Sequence, residues 1–310
     1  MDEEFGPAAL TRDLTRRGYD PRKLKQLVQA GEIDHVRRGV YPEPLPLTDH
    51  PDERQRDEHR RLVRGALQQL APDACVSHTS AAAFHDLPVP PGLGRVHVTR
   101  SWQSGQGRVD ANVHVHGAPL PESDLELLDG MLVTSIPRTV VDCARMLPLG
   151  RGVAMADAAL HSALTTKEEL GSVLAALGRR KGGPRARTVI ELANGLAESP
   201  GESLSRVRFI DHGVPMPDLQ RDLFTDDGTF VARVDFIWDE FDFIGEFDGK
   251  IKYGRGLRPG DSVADIIYEE KLREDAIREL GKGVVRWTWA DIFSGKMVAK
   301  VRRTIDRHSS

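Results

Sequence analysis

Four ionisable residues on two neighbouring predicted strands have the types and spacing for metal-dependent chemistry. Residues 233–253 read RVDFIWDEFDFIGEFDGKIKY, and their alternating apolar and polar side chains predict two β-strands joined by a turn. Asp235 lies on the first strand, and Glu246, Asp248 and Lys250 share one side of the second. Crowded carboxylates repel one another, and a divalent cation relieves that repulsion by taking oxygen ligands. A cation there could activate water and stabilise charge on a phosphate, while Lys250 polarises the nucleophile or an oxygen.

The position of the turn decides whether Asp235 joins the other three residues. A turn at residues 239–240 places Asp235 opposite Ile244 and diagonal to Glu246, about 7–8 Å away between β-carbons. A loop of odd length would reverse the faces and separate the acids. An exposed sheet face with salt bridges is the alternative, but the aromatic and aliphatic residues around the acids favour an interior position.

These residues carry a resemblance to a nuclease superfamily. Asp235, followed after twelve residues by Asp248-Gly249-Lys250, resembles the PD-(D/E)XK motif, in which an Asp begins one strand and a (D/E)-x-K lies on the next. Glu246-x-Asp248-Gly249 is more similar to the very-short-patch-repair (Vsr-like) branch, so either Glu246 or Asp248 can take the (D/E) position. Vsr-like proteins often have a His after the Asp-Gly, where this chain has Lys250. The resemblance implies a DNA endonuclease that uses Mg²⁺ or Mn²⁺.

The resemblance extends over residues 199–305 and adds one acid. Gly201-Glu202-Ser203 opens a predicted helix where the superfamily carries a helical Glu near the metal. Glu202 is therefore implied as a catalytic and metal-binding partner, although an acid in a first helical turn also suits the helix dipole. The implied catalytic residues are Glu202, Asp235, Glu246, Asp248 and Lys250, and the implied metal ligands are the four acids among them. A helix from Glu270 and a hydrophobic strand at 284–289 resemble the end of such domains.

A basic segment near the N-terminus is predicted to bind DNA. Residues 16–38 contain seven Lys or Arg against three acids. Asp20-Pro21 predicts a helix start and Gly31 its end, and a helix at 10–17 with a short hairpin after Gly31 completes a winged helix-turn-helix. The candidate DNA-binding residues are Arg22, Lys23, Lys25, Gln26, Gln29, Arg37 and Arg38. A solvated basic face, or a winged helix that binds protein, is the alternative.

The N-terminal and middle regions resemble the AbiEi family of antitoxins. The hairpin ends in Gly39-Val40-Tyr41, as in that family, and the runs VSHTSAAAFHDLP and VTSIPRTVVDCARM are similar to its middle region. The resemblance implies binding to operator DNA, repression of the chain's own operon and a cognate toxin as partner in a type IV toxin-antitoxin system. A non-catalytic regulator is therefore the alternative to a nuclease. Many operator binders dimerise, so a homodimer is possible, but the sequence leaves open whether this chain forms one.

The middle region contains weaker candidates for metal-binding or catalytic residues. Strands are predicted at residues 95–99, 112–116 and 131–134, and a helix from Pro137. His114 and His116 could be ligands on one strand face, but ordinary surface or core histidines are the favoured interpretation. A serine hydrolase that uses Ser80 and His78 is disfavoured, because the chain lacks a G-x-S-x-G turn.

Composition limits the class of protein. The 310 residues are 39% hydrophobic and 29% charged, as in globular proteins, and a net charge of −4 confines DNA contact to a local basic patch. Two cysteines fit a reducing cytoplasm, and no membrane helix or secretion signal is predicted. We predict an α/β chain, α+β overall. Its parts are a winged helix at 1–45, an α/β middle at 46–198 and a nuclease-like mixed sheet flanked by helices at 199–310.

Overall fold

The computed structural model describes residues 9–35, 39–42, 44, 51–101, 112–249 and 263–308, without the side chains of 263–267, 269 and 270. Its helices and two mixed sheets confirm the α+β class. The chain divides into two compact units, Met1–Met146 with Thr165–Ala186, and Leu147–Leu164 with Arg187–Ser310. The boundaries at 45 and 198 stay predictions. In the described part of the chain, no helix combines the length and apolar character needed to cross a membrane.

The first unit begins with helices α1 (Thr11–Arg16) and α2 (Pro21–Ala30). The Asp20 carboxylate accepts a hydrogen bond from the Lys23 N–H at 2.7 Å, and Gly31 ends α2 in the left-handed conformation, at φ 73°. These caps explain why α2 has the bounds predicted from the sequence. After residues 36–38, which lie outside the described part, Val40 pairs with Leu10 in an antiparallel bridge.

A five-stranded sheet forms the middle of the first unit, in the order β3-β2-β1-β5-β4. The strands are β1 (Cys75–Val76), β2 (Val96–Arg100), β3 (Val113–Gly117), β4 (Leu125–Leu128) and β5 (Met131–Thr134). Pairs β1/β5 and β2/β3 are parallel, and β1/β2 and β4/β5 are antiparallel. The predicted strands are confirmed to within one residue, whereas β1 and β4 were not predicted.

The remaining helices of this part are α3 (Pro51–Leu67), α4 (His78–Phe84), α5 (Ile136–Met146) and α7 (Lys167–Ala176). Val63 of α3 and Ala81 of α4 pack against Val76, Val98 and Val133 of the sheet in one buried cluster. Helix α8 (Gly183–Leu192) contains the boundary between the two units.

The second unit is a four-stranded mixed sheet with helices on both faces. Its strands are β6 (Asp218–Phe224), β7 (Phe230–Trp238), β8 (Phe243–Asp248) and β9 (Gly283–Thr288), in that order. Only β8 and β9 pair in parallel among these neighbours. The helices are α6 (Leu149–His161), α9 (Pro200–Asp211), α10 (Val263–Glu279), α11 (Trp289–Ser294) and α12 (Lys296–His308).

Each face of this sheet has its own apolar core. Phe236, Phe243 and Trp287 pack with Phe209 of α9 and Met297 of α12. The opposite face packs Val234, Ile237 and Ile244 against Ile277 of α10. The alternation predicted for β8 is confirmed, because Phe243 and Phe247 belong to the first core and Ile244 to the second.

The predicted pairing of β7 with β8 was wrong by two residues, because the turn between them is longer than predicted. Ile237, not Asp235, lies opposite Ile244, and Trp238 pairs with Phe243. Residues 239–242 form the connection, with a 3₁₀ turn and Asp242 in the left-handed conformation at φ 46°. A two-residue hairpin turn of type I′ or II′ would need positive φ at one or both central positions, and Asp-Glu lacks the glycine that these turns prefer. The loop still has an even length, so the parity of the faces is kept.

A buried glycine of β8 allows close packing of two aromatic rings. A Cβ placed on Gly245 would lie 2.4 Å from Cη2 of Trp287 and 2.9 Å from Cζ3 of Trp238. We therefore expect Gly245→Ala to lower the free energy of unfolding by about 1–3 kcal/mol through overpacking. Gly171→Ala is the matched control, because no atom lies within 4 Å of its Cβ position and alanine favours the helix. Urea unfolding of both variants checks this, and equal stability would contradict the packing described.

Candidate active site

Asp235 lies where the pairing of β6 and β7 is interrupted. Leu219 pairs with Phe236 and Arg221 with Val234, and Gln220 between them has a left-handed φ of 50°. The interruption exchanges the two faces of β7, because Val234 and Phe236 are two residues apart and yet belong to opposite cores. Non-glycine residues in this conformation cost free energy and concentrate at functional sites.

Glu202 is held in the first turn of α9, beside the same interruption. Ser199 caps the helix, and Pro200 at its first position presets the helical φ. The Ser199 hydroxyl donates to Glu202 Oε1 at 2.6 Å, and the Glu198 N–H donates to Oε2 at 2.8 Å. Glu202 is only 6% exposed. The carboxylate is therefore fixed in position, and it also favours the helix dipole.

Gln220 joins Glu202 to Asp235. Its Nε2 donates to Glu202 Oε2 at 2.9 Å and reaches Asp235 Oδ1 at 3.4 Å. Arg233 Nε donates to Gln220 Oε1 at 3.0 Å, which orients the amide. The second oxygen of Asp235 accepts the Phe247 N–H at 2.9 Å. The structure thus brings two of the predicted metal ligands to one amide group, from a helix and a strand far apart in sequence.

Glu246, the third predicted ligand, has different neighbours. Its Oε1 accepts from Arg273 Nη2 at 2.6 Å, and its Oε2 accepts from Arg286 Nε at 2.9 Å. Glu246 is 7% exposed, and Arg286 also contacts Glu274 at 3.1 Å. Two arginines therefore neutralise this carboxylate, as a buried charge requires.

Asp248 and Lys250 complete the predicted set. Asp248 ends β8 opposite Thr288 of β9 and is half-buried. Lys250 lies outside the described residues, so its catalytic role stays a prediction. Among the residues that the structure describes, no three of the predicted acids bring their oxygens close enough together to hold a metal ion. The group that does so consists of His97, His114 and His116.

The donor set around Gln220 suits a hard cation. Mg²⁺ is usually bound by one or two carboxylates and retains several waters, and Glu202 and Asp235 supply two carboxylates. The Gln220 amide presents positively polarised hydrogens to both, at the position where a cation would satisfy the same oxygens. The residues present therefore fit Mg²⁺ or Mn²⁺.

The candidate DNA-binding face on α2 is exposed. Leu24 is buried, while the outward side carries the exposed residues Arg22, Lys23, Lys25, Gln26 and Gln29. The Lys23 ammonium lies 4.4 Å from the centre of the Tyr19 ring. Arg37 and Arg38 lie outside the described residues, so the predicted tip of the wing is not tested.

Sequence reasoning missed the partners that position the acids. Gln220, Arg273 and Arg286 each contact a predicted site residue. Arg273 lies in the helix predicted from Glu270 and Arg286 in the strand predicted at 284–289, but neither was predicted to contact an acid. Gln220 lies in a strand that was not predicted. Its left-handed φ could not be predicted either, because glutamine is not a residue type that favours this conformation.

The comparisons with known proteins leave the activity open. No protein-family model matches the chain. The uncharacterized proteins MT2308 and Rv2248, from two strains of Mycobacterium tuberculosis, are each 33% identical to it over 185 residues. That match covers 59% of this chain and 65% of each relative. The crystal structure of RV2827C from M. tuberculosis covers 70% of this chain and 83% of its own at 18% identity, with a TM-score of 0.38, too low to support any argument.

The pairing of Glu246 with its arginines yields a stability prediction. Arg273→Met removes one partner of a buried carboxylate, and we expect a loss of about 1–3 kcal/mol in the free energy of unfolding. Arg278→Met is the matched control on the same helix, because Arg278 pairs with Glu274 at the surface and such pairs contribute about 1 kcal/mol or less. Chemical denaturation measures both. An effect of Arg273→Met no larger than the control would mean that Glu246 does not depend on this ion pair.

Proposed function

We propose that this chain is a DNA-binding protein whose second unit hydrolyses DNA phosphodiesters with Mg²⁺ or Mn²⁺. The observation that carries the proposal is the sharing of one amide by Glu202 and Asp235 at an interrupted strand pair. Support also comes from the order of elements, a helix, three strands, a helix and a fourth strand in a mixed sheet, which agrees with the nuclease-like resemblance.

Each residue of the site has a chemical role in this proposal. Glu202 and Asp235 hold the cation, and Asp248 at the end of β8 is the further carboxylate of the set. The cation supplies a lowered pKa for bound water and neutralises charge on the phosphate. Lys250 orients the attacking water. The Phe247 N–H fixes one oxygen of Asp235, so that the other is directed toward Gln220.

Glu246 takes a positioning role instead of the ligand role that the sequence indicated. Binding a cation through Glu246 would require both arginines to leave a carboxylate that is almost fully buried. Its contacts are better suited to hold the Arg273 and Arg286 side chains, which are about one third exposed, in place. Guanidinium groups held in this way can bind the phosphate backbone of DNA.

The α2 face supplies the DNA contact of the first unit. Its exposed Arg and Lys residues can neutralise phosphates, and its Gln side chains can reach base edges. The Asp20 cap and the buried Leu24 hold the helix with this face outward. Because the chain carries a net charge of −4, contact with DNA requires a local basic face of this kind.

A non-catalytic regulator is the second candidate function. It is favoured by the two arginines on Glu246, which remove one acid from the implied metal set. In that case the winged helix binds operator DNA and the second unit serves as a scaffold, with a cognate toxin as partner and a homodimer as the operator-binding form. Either function suits the cytoplasm, because both cysteines are buried free thiols and burial raises the pKa of Cys75 to about 12.

The nuclease proposal predicts metal-dependent cleavage that requires Asp235. Supercoiled plasmid incubated with the protein and Mg²⁺ or Mn²⁺ should be nicked, and EDTA should stop the reaction. We expect Asp235→Asn to reduce the rate at least ~100-fold, because it removes a charged ligand. Asp242→Asn is the control, since Asp242 lies in the adjoining loop and asparagine tolerates its positive φ. Lack of cleavage over a range of DNA substrates, by a protein that binds DNA, would favour the regulator.

The winged-helix proposal predicts a salt-dependent contact through α2. Arg22→Ala and Lys25→Ala should each weaken DNA binding and reduce the slope of log K against log salt by about 1 per lost phosphate contact. Lys167→Ala, at the exposed start of α7, is the matched control and should leave both quantities unchanged. Fluorescence anisotropy at several salt concentrations measures them. Unaltered affinity and slope in the α2 variants would locate the DNA contact elsewhere.

A further inference from the structure

Three histidines converge on the five-stranded sheet of the first unit. His97 lies on β2, and His114 and His116 lie on the neighbouring parallel strand β3. One nitrogen of each ring lies within 4.8 Å of one nitrogen of each of the others. Within the described part of the chain, these three side chains are the group of His, Cys, Asp or Glu residues whose ligand atoms lie close enough together to hold a metal ion.

The strand register explains the convergence. His97 pairs with His114, and Thr99 pairs with His116, so all four side chains fall on one face of two parallel strands. The alternate residues Val96 and Val98 are buried in the apolar core of the other face. Because parallel strands keep neighbouring side chains in step, three rings that alternate with core valines meet on the opposite face.

A hydrogen bond joins two of the three rings. Nδ1 of His97 and Nε2 of His116 lie 2.8 Å apart, so one nitrogen donates to the lone pair of the other. In a tetrahedral Zn²⁺ site with Zn–N of ~2.0–2.1 Å, two ligand nitrogens are ~3.3 Å apart. Binding of an ion between these two nitrogens therefore requires the pair to open by ~0.5 Å.

A fourth histidine supports the ring positions. His78 is 6% exposed, and its ring stacks on that of His116 with centroids 3.7 Å apart. Its backbone has a left-handed φ of 53°, and its Nδ1 lies 3.0 Å from the Ser77 hydroxyl, which accepts a hydrogen bond from Thr99. A strained residue that braces a ligand ring is the kind of arrangement found around metal sites.

We propose that His97, His114 and His116 bind one Zn²⁺ ion in the first unit, with a water or an exogenous ligand in the remaining position. Three imidazoles without a carboxylate select a borderline transition metal over Mg²⁺ or Ca²⁺. Three protein ligands with an open fourth position are the arrangement of catalytic and exchangeable zinc sites, as opposed to closed structural ones. This site is separate from the Mg²⁺ site of the proposed function and does not depend on it.

Titration of the EDTA-treated full chain with Zn²⁺, followed by calorimetry, tests the proposal. We expect one ion per chain and a rise in the melting temperature with Zn²⁺. His114→Gln should weaken Zn²⁺ binding at least tenfold and abolish that rise. His212→Gln is the matched control, because His212 is exposed at the end of α9, and it should behave as the unaltered chain does.

Co²⁺ provides a second readout that does not depend on stability. Visible d–d absorption of tetrahedral intensity should appear with the unaltered chain and with His212→Gln, and should be absent with His114→Gln. His97→Gln serves as the second ligand variant if His114→Gln fails to fold. Equal Zn²⁺ affinity in a folded ligand variant, or no Zn²⁺ binding by the unaltered chain at millimolar concentration, would overturn the proposal. Loss of DNA cleavage with intact Zn²⁺ binding would bear only on the second unit.

Discussion

Two carboxylates held close together must share a source of positive charge or polarised hydrogen. In the second unit the Gln220 amide meets this requirement for Glu202 and Asp235, while Arg233 orients the amide and the Phe247 N–H binds the far oxygen of Asp235. The interruption of the β6/β7 pair is what allows this meeting, because a regular ladder would leave Gln220 as an ordinary strand residue. The left-handed φ of Gln220 is the local cost.

The acids of the second unit have two different kinds of hydrogen-bond partner. The donors described above for Glu202 and Asp235 are neutral groups, and a cation in their place would add charge compensation. Glu246 receives two guanidinium groups, which already compensate its charge. All three acids belonged to one predicted ligand set, but in the structure Glu246 binds two arginines, whereas Glu202 and Asp235 share an amide. A buried carboxylate cannot lose its partners without replacement, because an unpaired buried charge is strongly destabilising. Glu246 therefore cannot bind a cation while it keeps both arginines.

Much of the fold follows from local signals in the sequence. Asp20, Pro21 and Gly31 fix α2 because capping and φ preferences act within a few residues. The faces of β8 follow from period-2 alternation, which depends only on the strand geometry. The turn between β7 and β8 could not be placed, because its length depends on how Asp242 tolerates positive φ.

The partners of the acids could not be predicted from the sequence, for a different reason. Gln220 and Arg273 reach their acids across strands and helices, and long-range pairing is not encoded in residue spacing. The histidine group shows the same limit: His114 and His116 were visible as a pair, but His97 joins them only through the parallel pairing of β2 with β3.

The proposed hydrolysis depends on the binding of one divalent cation by Glu202 and Asp235. A crystal structure with Mn²⁺, using anomalous scattering, tests it most directly. We expect an anomalous peak bonded to one oxygen from each carboxylate, with the Gln220 amide displaced from between them. No peak at millimolar Mn²⁺, with the amide still donating to both carboxylates, would contradict it.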